Sequence, residues 1–144
     1  MIYKESDLHV VDTAIDIVRS RPEVYAARGR QRNDMLTYLI HDILTLCENV
    51  NVDVVRIDDW SVVRSSVDWM GANNNAWFAE IKAFPELGPD SFHAEILFSA
   101  FAKRGICVSR HGELHIGDKK IDIPTSVFDR FSDIALGRAL AFLI

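Results

Sequence analysis

Basic residues are in short supply in this sequence. Lys and Arg total 16 against 21 Asp and Glu, which leaves a formal net charge of -5. Nonspecific nucleic-acid binding needs a basic surface to displace counterions, so this balance argues against nucleic acid as a partner. Only the stretch from Arg19 to Arg32 is locally basic. Cysteine is rarer still, at 2 residues. Cys47 falls on the apolar stripe of a helical pattern and Cys107 inside a strand pattern, so both read as small buried hydrophobes, not as a disulfide or a CxxC site. A run of about 18 or more apolar residues, the length needed to cross a bilayer, is absent. Met1-Ile2-Tyr3-Lys4-Glu5-Ser6-Asp7 also lacks the basic-then-apolar order of a signal peptide. These absences lead to the expectation of a soluble cytoplasmic protein with no membrane partner and no redox chemistry.

What is present is enough for one domain. A chain of 144 residues with 49% hydrophobic and 26% charged composition can bury a real core as a single domain over residues 1–144. Leu8, Val11, Ala14, Ile15 and Val18 recur at helical spacing, and Pro22 ends that first helix. Ser20-Arg21-Pro22-Glu23 has the S-x-x-E spacing of a capping box, with proline in the first turn where no amide hydrogen is missed. Gly29 and Arg30-Gln31-Arg32-Asn33-Asp34 read as a loop. Leu36, Leu39, Ile40, Ile43, Leu44 and Cys47 then give a second helix over 35–48, with Asn49 suited to its stop.

The β-branched runs 52–57 and 60–65 flank Asp58-Asp59 as a hairpin. Residues 71–91 carry loop chemistry with a short apolar insert at Trp77, Phe78 and Ile81. Ser91 is placed to cap a third helix ending near Gly105. Residues 106–110 and 113–116 flank a turn at His111-Gly112, 119–123 reads as a further short strand, and Pro124-Thr125 introduces a last helix. The order predicts an α+β fold, a two-layer sandwich of helices on a mostly antiparallel or mixed sheet.

Val18-Arg19-Ser20-Arg21-Pro22-Glu23-Val24-Tyr25 resembles the "VRKRPGMYIG" segment of gyrase B and related ATPase domains of the GHKL family. The family continues with a helix bearing E-x-x-D-N, two strands leading into D-x-G-x-G, a glycine-rich lid, a helix and a hairpin of the form V-x-R-D-G-x-x-Y. Here the helix at 35–48, the strands at 52–65, the loop at 71–91, the helix at 91–104 and "VSRHGELHIG" at 108–117 occupy those places, so the resemblance spans residues 8 to 117. It implies a GHKL, or Bergerat-like, fold.

The ATP chemistry that the resemblance would bring is missing from the residues. The family's water-activating glutamate and magnesium-binding asparagine fall on Asp42 and Leu46, and leucine cannot ligate a hard cation. The adenine-binding aspartate and its glycines fall on Ser65-Ser66-Val67-Asp68-Trp69, which has no glycine. The segment in the lid's place keeps only Gly71 and Gly88, and Pro89 removes an amide donor where the family binds phosphate.

Other constellations are weak. His111 and His115 have a zinc-like spacing, but a turn at His111-Gly112 sets His115 opposite Val108 and separates the pair. His93 and Glu95, two apart on a helix, point away from each other. Ser65-Ser66 lacks the glycines of a nucleophile elbow. No catalytic residue, metal site or cofactor is implied.

The expected function is therefore a non-catalytic binding or regulatory protein working by protein contact, suited to an immunity or antitoxin role against a basic toxin, or to self-association. Contact candidates are Trp69, Trp77, Phe84 and Glu86 around the loop, and Phe142 and Leu143 on an all-round apolar terminal helix. Arg19, Arg21, Pro22 and Tyr25 are structural in this reading, with arginine heads pairing with acids such as Asp58 or Asp59. The contrasting expectation is a nucleotide sensor or ATPase with a remodelled pocket at Asp42 and Asp68.

Overall fold

In the computed structural model, the described residues are 13–25, 31–71, 76–89, 91–132 and 136–144. The fold is α+β, built on a five-stranded antiparallel sheet. Chain order runs α1 (Ala14–Ser20), α2 (Pro22–Tyr25), α3 (Gln31–Leu46), β1 (Val52–Ile57), β2 (Trp60–Ser65), α4 (Ala76–Ala79), α5 (Glu95–Phe101), β3 (Arg104–Ser109), β4 (Gly112–Gly117), α6 (Thr125–Phe128) and β5 (Arg138–Leu143).

Both expected hairpins form. Residues 52–57 pair with 60–65 around a turn in which Asp58 takes φ 52°, a conformation aspartate tolerates. The second hairpin turns one residue earlier than expected, at Arg110-His111, and Ser109 pairs with Gly112. His115 therefore stands opposite Ile106, and Val108 faces Glu113.

The terminal helix is the main correction. Only Thr125–Phe128 is helical there, followed by a 3-10 turn at Asp129–Phe131, and residues 138–143 form the central strand of the sheet in the order β1-β2-β5-β3-β4. A strand buried on both faces is apolar at every position, so its sequence matches that of a buried helix. Leu140 and Phe142 face the helical layer, where Phe98 of α5 meets Phe142 edge-on at 4.8 Å. Ala141 and half-buried Leu143 face a smaller core of Trp60, Val62, Ile106 and Val127. The short strand expected at 119–123 is a turn closed by Ile121 N–H on the Asp118 carbonyl.

Smaller differences lie at the helix ends. Leu8 and Val11 of the first helix, and Gly29 of the expected loop, lie outside the described residues. Residues 31–34 belong to α3 and not to a loop. Ser20 donates its hydroxyl to the Ile17 carbonyl and so does not act as a cap. Ser91 caps nothing at α5, which begins only at Glu95, because Phe92 is held in a bridge with Ala83. The buried face of α3 is Met35, Leu39, Asp42 and Ile43; Leu44, expected inside, is exposed.

Gly117 has φ 76°, and a Cβ there would collide with the Lys103 carbonyl; Gly112, at φ 120°, has open space around it. Alanine at Gly117 meets both strain and a clash and is expected to cost ~3 kcal/mol or more, against ~1–2 kcal/mol of strain alone at Gly112. Urea unfolding midpoints of Gly117→Ala and Gly112→Ala measure the difference, and equal losses would contradict the steric account.

Candidate functional site

The site is assembled around the start of α5. Helix α3 presents Asp42 on the same face as Leu39 and Met35, one turn and two turns back, so its carboxyl enters the core. There Asp42 Oδ2 accepts the Ala94 amide hydrogen at 2.8 Å, satisfying a donor that the first turn of α5 leaves without a backbone partner. The segment before α5 is pinned by a small clip: Phe84 N–H donates to the Ser91 carbonyl and His93 N–H to the Lys82 carbonyl. The clip holds the His93 ring flat between Trp77, 3.8 Å away and 10° from parallel, and Phe84, at 4.2 Å. Glu95, the first residue of α5, points inward with 0% exposure, and its Oε1 accepts from Trp69 Nε1 at 3.0 Å.

Asp42, His93 and Glu95 thus converge, each offering a ligand atom within 4.8 Å of the others. His93 Nδ1 lies 4.0 Å from Asp42 Oδ2. The expectation that His93 and Glu95 point apart is overturned, because His93 precedes the helix and helical angles do not govern the pair.

Burial sets the electrostatics. It raises the Asp42 carboxyl to about 7, against the lowering effect of the Ala94 hydrogen bond. It raises Glu95 to about 8, with the Asp42 charge adding in the same direction. The same burial lowers His93. Near neutrality the imidazole is uncharged and the carboxyls are partly or largely protonated. Two atoms in the cluster, His93 Nδ1 and Glu95 Oε2, are buried without a hydrogen-bond partner. Acid, base and metal-ligand chemistry are all within reach of such a group.

Clefts open on two sides of it. One, of about 500 Å³, is lined by Tyr25, Tyr38, His41, Asp42 and Phe92. The other, of about 670 Å³, is lined by Cys47, Asp68, Trp77, Glu86 and His93. Asp42 and Asp68, expected to share a pocket, line different clefts. Asp68 is already engaged: Oδ1 accepts from Arg138 Nε at 2.6 Å and from the Met70 and Gly71 amides.

Among the expected contact residues, Trp69, Trp77, Phe84 and Phe142 are buried in the chain's own core, and Leu143 is half-buried against the second core. Phe84 and Phe142 are fully enclosed, while Trp69 and Trp77 reach the wall of the larger cleft. Glu86 is exposed on the rim of the larger cleft.

The contacts of the arginine-rich segment differ from those expected. Arg19 Nε donates to the Ala100 carbonyl at 2.9 Å, capping the far end of α5, and Tyr25 packs edge-on against Phe92. Pro22 opens α2, and the exposed Arg21 closes α1 through its backbone amide. It is Arg56 that lies near Asp59.

His115 faces Arg104 and Glu113 and does not pair with His111. Ser65 and Ser66 serve neighbouring backbone. Cys47 and Cys107 are free thiols, and burial pushes Cys107 up to about 11.

No known family matches the chain, and neither the curated proteins nor the solved structures yield a match.

In chelator-treated protein, the raised carboxyls give stability a sign. The fold holds protons on Asp42 and Glu95 that the unfolded chain releases from about pH 4 upward, so these groups make stability fall as pH rises through about 7 and about 8. His93 acts in the opposite sense, but only below its ordinary 6.5. Between that value and about 8 the folding free energy should decline, by at most ~1.4 kcal/mol per pH unit per proton. Asp42→Asn and Glu95→Gln should flatten the decline in urea titrations; a flat wild-type profile would contradict the assignment.

Proposed function

We propose that the chain is a non-catalytic binding or regulatory protein, and that its partner-binding site is the cleft over Asp42 between α2, α3 and the residues Leu87, Ser91, Phe92 and Ala94. The observation that carries this reading is the composition of that cleft. Its rim keeps two large side chains in solvent, Val24 at 64% and Tyr38 at 47% exposure, while Asp42 lies at its base. Mainly apolar walls that also carry polar groups, His41 and Asp42 among them, suit an inserted side chain of a partner. The net charge of -5 favours a basic partner, in keeping with an immunity or antitoxin role in the cytoplasm. Among the described residues no helix is long and apolar enough to cross a membrane. A GHKL scaffold that has lost its nucleotide motifs remains the proposed ancestry, supported by the order of elements from "VRSRPEVY" to "VSRHGELHIG".

The second reading, a remodelled nucleotide pocket, is favoured by the presence of a cleft beside Asp42. It is disfavoured by Asp68, whose carboxylate is taken up by Arg138 and two backbone amides.

Two measurements decide. A partner captured by the wild-type chain should be lost with Tyr38→Ala and with Val24→Asp, each expected to weaken binding by ~1–3 kcal/mol while leaving the melting temperature unchanged. Capture that ignores both substitutions would move the site elsewhere. Millimolar ATP or ADP, with or without magnesium, should leave the melting temperature where it is; a magnesium-dependent rise abolished by Asp42→Ala would restore the nucleotide reading.

A further inference from the structure

We propose that Asp42, His93 and Glu95 bind one divalent transition-metal ion of the zinc type, a site independent of whether a partner docks in the cleft. The donor set is one imidazole nitrogen and two carboxylates. That mixture suits zinc and its first-row neighbours, whereas calcium and magnesium favour all-oxygen shells.

Geometry supports the assignment in three ways. First, the three ligand atoms already lie within 4.8 Å of one another. Around an ion with bonds of ~2 Å the donors stand roughly 3.3 Å apart, so binding needs a closure of about an ångström or a little more, within reach of side-chain torsions. Second, His93 Nδ1 and Glu95 Oε2 are buried and have no hydrogen-bond partner, on residues only 6% and 0% exposed. An orphaned buried polar atom is costly and calls for an occupant. A cation at the centre of the cluster satisfies both atoms together.

Third, each ligand is oriented by an outer partner. The Ala94 amide holds Asp42, the Trp69 indole holds the other oxygen of Glu95, and Trp77 with Phe84 clamps the plane of His93. Such outer contacts are what fix the ligands of metal sites. Three protein donors leave a further coordination position for water or a ligand, the arrangement of open zinc sites and not of closed structural ones. Asp42 lines one cleft and His93 the other, so the cluster is adjacent to solvent-filled space on both sides.

The test is calorimetric titration of the EDTA-stripped full chain with ZnCl2, with Co2+ as a spectroscopic substitute. The expected result is one ion per chain at micromolar affinity or tighter, with visible d–d bands of a low-coordinate Co2+ site. Glu95→Gln and His93→Gln should each weaken binding by ~10-fold or more, and His111→Gln together with His115→Gln should leave it unchanged. Circular dichroism of each stripped variant establishes that it is folded. A measurement on the wild-type chain covers the case in which the variants do not fold: zinc must displace the ring resonances of His93 in its imidazole NMR spectrum.

Absence of stoichiometric binding would overturn the proposal and leave the cluster to a buried water or a shared proton. Binding indifferent to His93 and Glu95, or His93 resonances unmoved by zinc, would overturn it equally.

Discussion

Helix α5 is held at both ends by side chains that arrive from other helices, and the hold at its start organises the rest of the site. A helix terminus leaves backbone amides or carbonyls without partners, and inside a core no water is at hand to take them. Asp42 of α3 accepts at the first end, and Arg19 of α1 donates at the second. A short helix that has no side-chain cap of its own is thereby fixed relative to its two neighbours. The Asp42 contact also sets the position of the residues on either side of Ala94, and these are His93 and Glu95. Architecture and candidate chemistry share a single carboxyl.

The sheet imposes a second constraint. The hairpins 52–65 and 104–117 are not neighbours; each bonds to one side of β5. Strand β5 also sends Arg138 into the helical layer, where it meets Asp68, the Cys107 thiol and the face of Trp69. Trp69 in turn donates to Glu95. The central strand is thus linked to the buried cluster through two consecutive side-chain contacts, Arg138 on Trp69 and Trp69 on Glu95. A buried ion pair of this kind has value chiefly because losing one partner strands the other, at roughly 3–5 kcal/mol.

Local patterns were legible where local chemistry decides. The first hairpin carries its own signals, with β-branched alternation on both sides of two aspartates, and its strands fall at the positions read from sequence. The fold class followed from element order. Strand β5 was not legible, because Ala139 to Leu143 is apolar on both faces and only the tertiary pairing distinguishes strand from helix. In the α3 stripe Leu39 and Ile43 are buried as their spacing predicts, whereas Leu44 is exposed and the buried row also takes in Met35 and Asp42. An acid in helical register with Met35 and Leu39 was the available signal for a buried carboxyl. The convergence of His93 and Glu95 on Asp42 left no such trace. It depends on where α5 begins, and that boundary lies between the Ala83–Phe92 bridge and the hold on Ala94 by Asp42, 52 positions earlier in the chain.

The ring of His93 lies in a column between Trp77 and Phe84. An imidazole stacked on an indole quenches its emission when it gains a proton, since the charged ring accepts electron density from the excited indole, and does so far less when neutral. Trp69, on the other side of the cluster, is bonded to Glu95. Two of the chain's 3 tryptophans therefore touch the same buried group. The protein therefore carries an intrinsic optical reporter in contact with His93 and Glu95, through which events at that cluster can be followed by light without a label.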